Sequence, residues 1–393
     1  MFGTPIGRLN YDTELLQALE RVYGNELQSF LNAISRPSKR LYVRVNILKI
    51  DPGALLDILR ARGIEVYRDE ELSEALYFPV HGPYRVRDVG LRVVADKRAS
   101  ESVMLGSNLY APGVEDCDPE VRPGSIVTVI SPQGDVLAEG VAKMRCEEMK
   151  RRGKGLAVEV HKSIYKAPQL RELPEFSAGY FYPQSLPAMY TVHVLNPQPG
   201  ELIVDMCAAP GGKTGHIVEY SQGLAYTIAF DHSQRKLREM IKEMERLGHL
   251  HAVEIWRSDS RYLDVDYPWL KPHRVLVDPP CTALGVRPKL YDRKSYHDVI
   301  AAANYQKQFL QVAARIVRSG GVIVYSTCTV TLEENEMVIE EVLRKYRCLE
   351  VVETGIRRGS HGLYGDYKDL YIRFHPQVHD TPGYFIAKLV KKC

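Results

Sequence analysis

The run Leu202-Ile203-Val204-Asp205-Met206-Cys207-Ala208-Ala209-Pro210-Gly211-Gly212-Lys213-Thr214 decides how this chain is read. Its apolar start, ending in Asp205, has the pattern of a buried parallel strand, and the small residues that follow make a turn where backbone can approach a ligand closely. Gly211-Gly212-Lys213-Thr214 matches the end of a phosphate-binding loop, but that loop needs a glycine where Cys207 stands, so ATP hydrolysis is disfavoured. No G-x-G-x-x-G follows the strand, which disfavours a nicotinamide cofactor. The next apolar run, Tyr226 to Asp231, ends in a carboxylate 26 residues after Asp205 (231 − 205), suited to accept hydrogen bonds from both hydroxyls of a ribose. A plain turn would explain two glycines alone. The ordered set Asp205, Asp231, Asp259 and Asp278 at successive strand ends instead favours S-adenosyl-L-methionine, whose sulfonium suits carboxylate neighbours.

Working outward, further apolar runs stand at Ala252 to Trp256, Val275 to Asp278, Val322 to Tyr325 and Tyr384 to Leu389, with helical patterns between them. Leu237, Ile241, Met244 and Leu247 recur at helix spacing before Gly248, and Thr331 with Glu334 forms a capping-box signature before Met337. The expectation from about Pro168 onward is a doubly wound, Rossmann-like α/β domain of parallel strands, with ligands gathered at the strands' carboxyl ends.

Two cysteines fall at such ends: Cys281 in Val277-Asp278-Pro279-Pro280-Cys281-Thr282 and Cys328 in Tyr325-Ser326-Thr327-Cys328-Thr329. Enzymes that methylate exocyclic nitrogens carry a similar Asp-Pro-Pro run closed by an aromatic residue, and a nitrogen lone pair needs no covalent help. Carbon 5 of cytosine is a poor nucleophile until a thiolate adds to carbon 6. Asp278, with its pKa raised by apolar neighbours and the flipped base, is the candidate to ease charge at ring nitrogen 3. Cys281, or water beside it, is the candidate to remove the proton from carbon 5. The base must leave its stack to enter such a pocket. Cysteines are also common core residues. Cys117, Cys146, Cys348 and Cys393 have no supporting constellation and receive no role, and small size alone accounts for Cys207.

A length of 393 residues favours two or three domains. Hydrophobic content of 45% and charged content of 26% are those of a soluble globular chain, and a net charge of +3 announces no global polycation. Charge is concentrated locally. From Ala142 to Arg171 nine basic residues (Lys143, Arg145, Lys150, Arg151, Arg152, Lys154, Lys162, Lys166, Arg171) face Glu147, Glu148 and Glu159, a surplus of six that suits either phosphate contact or a solvated loop. Seven scattered cysteines without a C-x-x-C pair disfavour zinc and disulfides. No metal site is expected. The stretch Met1-Phe2-Gly3-Thr4-Pro5-Ile6-Gly7-Arg8 lacks a signal core, and no apolar run is long enough to span a membrane, so a reduced, cytoplasmic protein is expected.

Residues 1–90 open with a helical pattern after Asp12 (Leu15, Leu16, Leu19, Val22, Tyr23), then a strand from Leu41 to Ile47, a helix from Ala54 to Arg62 and a strand at Ile64 to Tyr67, in a β-α-β-like order. Residues 91–167 carry short β-rich runs (Ile126 to Ile130, Val136 to Ala138, Ala157 to Val160) between Pro-Gly turns, which suggests a small barrel. This second region resembles a PUA domain through Val93-Val94-Ala95-Asp96-Lys97, Gly106-Ser107-Asn108-Leu109-Tyr110-Ala111-Pro112-Gly113-Val114, Val121-Arg122-Pro123-Gly124 and Ala138-Glu139-Gly140-Val141-Ala142. The resemblance implies RNA binding; a barrel serving only as a spacer is the competing reading. Residues 168–393 would then be the catalytic domain.

From Tyr182-Pro183-Gln184-Ser185 to Gly383-Tyr384-Phe385 the chain resembles the Sun-type (NSUN) RNA cytosine-5 methyltransferases. With its PUA insertion it is most similar to the branch of the sixth human NSUN member and its archaeal relatives. That resemblance implies an S-adenosylmethionine-dependent transfer-RNA methyltransferase acting on cytosine 72 of the acceptor stem, gripping the acceptor and CCA end with the PUA barrel. It implies that Cys207, Ala208, Ala209, Pro210, Gly211, Gly212 and Lys213 hold the donor together with Asp231, Asp259 and Asp278. It makes Cys328 the attacking thiolate, Cys281 the residue that assists release, and Lys213 a lysine near the reacting base, and it likens the first region to an RRM-like unit. The residues alone leave open which cysteine attacks. A ribosomal-RNA methyltransferase of the same chemistry and a non-catalytic RNA-binding adaptor are the alternatives, and no protein partner is inferred. The family's usual Pro-Cys-Ser-Gly is here Pro280-Cys281-Thr282-Ala283, and its Phe-Phe is Tyr384-Phe385, departures expected to be neutral.

Overall fold

The computed structural model describes residues 8–151 and 153–393; Met1 to Gly7, where no signal core was read, and Arg152 of the basic stretch lie outside the described residues. Asp12 caps the helix Thr13–Tyr23 by accepting the Leu15 N–H at 2.8 Å. Its buried face, Leu15, Leu19 and Tyr23, packs with Phe30 and Ile34 against Leu284, Val299 and Val330 of the catalytic region, so this first helix props the loop that follows Cys281. The strand Arg40–Val45, the helix Pro52–Ala61 and the strands Tyr67–Arg68 and Ala75–Pro79 come next. These three strands join a four-stranded antiparallel sheet whose edge, Phe181–Pro183, comes from far along the chain. The last-named strand was not foreseen, because three residues with a proline carry no periodicity.

The second region is a six-stranded sheet in the order Leu109–Tyr110, Leu156–Ser163, Val136–Ala142, Ile126–Ile130, Arg92–Ala95, Val114–Cys117. Its first and last members are joined by the single 3-10 turn Ala111–Gly113, so the sheet must curl round on itself. Around the resulting core the basic residues stay at the surface, where Lys143 pairs with Glu159 at 2.6 Å and Lys150 with Asp116 at 2.8 Å.

The catalytic sheet runs Val253–Arg257, Tyr226–Asp231, Leu202–Asp205, Arg274–Val277, Val322–Thr327, all parallel, and then Tyr384–Lys391. Tyr384–Lys391 is antiparallel to its neighbour, which corrects the expectation of a wholly parallel set. Both faces are covered, as doubly wound sheets require. Val275 and Val277 face the helices Tyr296–Ile316 and Glu336–Lys345, while Leu276 between them faces Leu186–Leu195. Strand order reverses between Leu202–Asp205 and Arg274–Val277, so the crevice belongs beyond their carboxyl ends, at Asp205 and Asp278. Among the described residues no helix is long and apolar enough to cross a membrane.

Two disulfides, Cys117–Cys146 and Cys348–Cys393, overturn the reading of these cysteines as unpaired. Their partners lie 29 and 45 residues apart, a relation that only the tertiary structure reveals. Pairing of Leu349 with Lys391 across two antiparallel strands is what carries Cys348 to the chain's last residue.

Glu74, beside the N-terminal sheet, ties that domain to two catalytic-domain helices through His193 and His216. Burial pushes its carboxyl up, but the two imidazoles outweigh burial and hold it well below the usual carboxylate range. The three donor atoms lie within 4.8 Å of one another, a spacing that a metal would also accept. Nδ1 of His216, however, is buried without a partner, so the ring keeps its proton on Nε2, facing Glu74; a metal there would strand an N–H at Nδ1. A depressed carboxylate contributes stability above its ordinary pKa and loses it as pH falls toward the folded value. Glu74→Gln is therefore expected to cost about 1–3 kcal/mol at pH 7. In denaturant titrations its deficit against the parent should shrink below about pH 4.5.

Candidate active site

The donor turn is held from both sides. Gly211 adopts φ +103°, which glycine tolerates, and its N–H donates to the Ala208 carbonyl at 2.7 Å. A side chain on Gly212 would lie 2.9 Å from the Tyr182 ring, so glycine is required by close approach as well. Asp205 accepts from Thr214 Oγ1 at 2.7 Å and from the Cys207 N–H at 3.4 Å. Burial pushes its carboxyl up to about 6.

Two adjoining cavities open on this turn. One, of about 230 Å³, is lined by Asp231, Asp259, Pro279, Pro280, Cys281 and Cys328; the other, of about 250 Å³, by Tyr182, Gln184, Ala208, Pro210, Gly212 and Lys213. Cys207, Ala209 and Asp278 line both, which places Asp278 between the acidic strand ends and Lys213. Gly211 lines neither cavity and only shapes the turn. Asp231 is buried and uses one oxygen to accept the Ser233 N–H at 2.8 Å. Asp259 differs, because Arg261 clamps its carboxylate through Nε at 3.0 Å and Nη2 at 2.5 Å and so holds it below the usual range.

Cys281 and Cys328 meet with their Sγ atoms 3.4 Å apart. The pair is asymmetric. Cys328 is drawn down by its hydrogen bond with Cys281, against burial and the charge of Asp278, with Lys213 and Lys289 adding to the lowering. Cys281 is pushed up by that same bond and by its own burial. The surroundings thus favour the thiolate at Cys328 over Cys281.

Asp278 does not have the apolar surroundings expected for it. Its carboxylate accepts from Lys213 Nζ at 2.6 Å, Ser326 Oγ at 2.9 Å and the Tyr384 hydroxyl at 3.3 Å. Burial opposes the charge of Lys213, but Asp278 and Tyr384 outweigh it and hold the ammonium well above lysine's ordinary value. Tyr384 in place of phenylalanine is consequently not neutral, since its hydroxyl joins the ring of donors around Asp278. Nor is Ala283, which takes φ +56° where the family commonly has glycine; a left-handed non-glycine residue costs about 1–2 kcal/mol.

One organising residue was missed. Glu334 is buried and accepts from the Thr282 N–H at 2.9 Å, Thr282 Oγ1 at 2.5 Å, Gln306 Nε2 at 3.0 Å and the hydroxyls of Thr329 and Thr331, each at 3.1 Å. It thereby fastens the residue after Cys281 to the residue after Cys328 and sets the spacing of the two thiols. The spacing of Thr331 and Glu334 predicts a helix cap, but the helix begins at Glu336 and its N-cap, Asn335, makes no side-chain cap bond. The signal available was a glutamate three residues after Thr331, identical for both uses.

The cavities suit S-adenosylmethionine: a buried carboxylate with an open oxygen at Asp231, a turn no side chain could fill at Gly212, and thiols within the same space.

Comparison with known proteins agrees with this chemistry. The family model described as 16S rRNA methyltransferase RsmB/F matches residues 192–390, the PUA domain model 91–164, and the RsmF/B-like ferredoxin-like domain model 13–86. The tRNA (cytosine(72)-C(5))-methyltransferase of Pyrococcus horikoshii is 40% identical over 386 residues, covering 97% of each chain. The tRNA (cytosine(72)-C(5))-methyltransferase NSUN6 of Homo sapiens is 28% identical, covering 93% of this chain and 91% of its own. The crystal structure of NSun6 from Pyrococcus horikoshii with SFG, an S-adenosylmethionine analogue, superposes with a TM-score of 0.90 at 40% identity, over 98% of this chain and 99% of that one. With domain models in the same order and near-complete coverage by one relative, this chain belongs to the NSUN6-type branch of the RsmB/F RNA cytosine-C5 methyltransferases.

Proposed function

We propose that this protein methylates carbon 5 of cytosine 72 in the acceptor stem of transfer RNA. The observation that carries the proposal is the thiol pair, 3.4 Å apart beside Asp278 and Lys213 in a cavity that also reaches Asp231. S-adenosylmethionine, when bound, supplies an electrophilic methyl group. Asp231 accepts hydrogen bonds from the ribose, and the turn from Cys207 to Lys213 bounds the donor's other end, with Asp278 between them. Asp259, already clamped by Arg261, shapes the wall rather than offering a free carboxylate.

Cys328 attacks carbon 6 of a cytosine turned out of its stack, and electron density moves onto the ring toward nitrogen 3. Lys213 is the group with protons to give at that edge, and Asp278 holds its ammonium in place. Carbon 5, now enamine-like, takes the methyl. Water beside Cys281, or Cys281 itself once its own proton has passed to solvent, then removes the carbon 5 proton as the Cys328–carbon 6 bond breaks. The PUA barrel, with its exposed lysines and arginines, grips the acceptor and CCA end. Within this reading the domains divide at 1–90, 91–167 and 168–393, although strand Phe181–Pro183 completes the N-terminal sheet. A cytoplasmic location belongs to the same proposal.

The test is incubation with labelled methyl donor and, in parallel, transfer RNA and ribosomal RNA, followed by mapping of the modified nucleotide. Label is expected on carbon 5 of cytosine 72. Label confined to ribosomal RNA would instead follow the name carried by the catalytic-domain model, and absence of label on any RNA would leave only an adaptor.

A further inference from the structure

We infer that Arg44, which lies in the N-terminal domain, is a positioning residue for the methyl donor, holding the donor turn from beneath; the inference rests on the donor site proposed above. Arg44 sits in the strand Arg40–Val45 and is fully buried, an expensive place for a guanidinium unless every donor is used. One edge forms a fork with Glu219 of the helix Gly212–Tyr220, Nε at 2.5 Å and Nη2 at 2.9 Å. A structural ion pair would need no more than that. The remaining nitrogen, Nη1, turns the other way and donates to the Gly212 carbonyl at 2.6 Å and to the Gln184 side chain. The guanidinium carbon also lies 5.3 Å from the centre of the Tyr182 ring, the same ring that closes over Gly212. Three contacts of one buried cation are therefore walls of the cavity beside Lys213.

The consequence is geometric. Because the peptide unit is planar, fixing the Gly212 carbonyl fixes the direction of the Lys213 N–H. That N–H belongs to the first turn of a helix, where backbone donors have no partner within the helix and point toward the turn's ligand. Lys213 also carries the ammonium paired with Asp278, so a tilt of this peptide moves donor contact and proton donor together. The N-terminal domain thus contributes an internal strut to the methyl donor's site.

The full-length Arg44→Met/Glu219→Leu protein replaces the ion pair by apolar side chains, a change that leaves many folds as stable as before. It is expected to keep a cooperative unfolding transition, to bind S-adenosylmethionine about tenfold more weakly by calorimetry, and to raise KM for the donor while leaving KM for transfer RNA unchanged. Arg44→Lys keeps a cation for Glu219 but cannot span to Gly212, and should lose part of the affinity. Donor affinity within about twofold of the parent in either folded variant would overturn the inference. So would an equal rise in both KM values, or failure of both variants to fold, each of which marks a purely structural pair. Failure of the parent itself to bind the donor would instead remove the donor-site reading.

Discussion

Cys328→Ala is expected to abolish methyl transfer, lowering turnover by at least about 10⁴-fold, because no remaining group can add to carbon 6 and the ring's carbon 5 stays inert. The donor should still bind, since Asp231 and the turn from Cys207 to Lys213 are intact. Single-turnover assays with labelled donor check the first part and calorimetry the second. Undiminished turnover would sink the mechanism. Because the thiolate attacks, the parent's single-turnover rate should climb with pH until Cys328 is ionised; the lowering of that thiol by Cys281 and Lys213 places the climb at lower pH than for an ordinary cysteine.

Cys281→Ala is expected to do something qualitatively different: to accumulate a covalent protein–RNA adduct, seen as a retarded band on a denaturing gel. Cys328 can still add and the methyl can still transfer, but the base that removes the carbon 5 proton is gone and elimination stalls. The same substitution removes the hydrogen bond that favours the Cys328 thiolate, so the adduct should form more slowly at neutral pH and faster as pH rises. Should Cys328→Ala trap RNA and Cys281→Ala release it, the two roles are exchanged.

Much of this site is local in sequence. Each carboxylate and thiol follows an apolar run, and such runs become parallel strands whose carboxyl ends share one rim, so Asp205, Asp231, Asp278, Cys281 and Cys328 could be placed together from their order alone. What the pattern lacked was the partner of each group. Asp278 is expected among apolar neighbours, yet its neighbours in space are Lys213, Ser326 and Tyr384, drawn from three other elements. Glu334 reads as a cap at the level of spacing and acts as the clasp between two cysteine loops because Thr282 is brought to it from 52 residues away.

Hydrophobic periodicity, glycine at the turn and the order of strand-end residues were thus enough to specify an α/β methyltransferase domain, because each is a property of neighbours along the backbone. That the two thiols meet, how Asp278 is dressed, that Cys348 reaches Cys393, and that a buried arginine from the first domain bonds to the Gly212 carbonyl were decided only by folding. Those features are pairwise contacts between residues distant in sequence, and a charge or thiol takes its character from whatever the tertiary structure sets within a few ångströms of it.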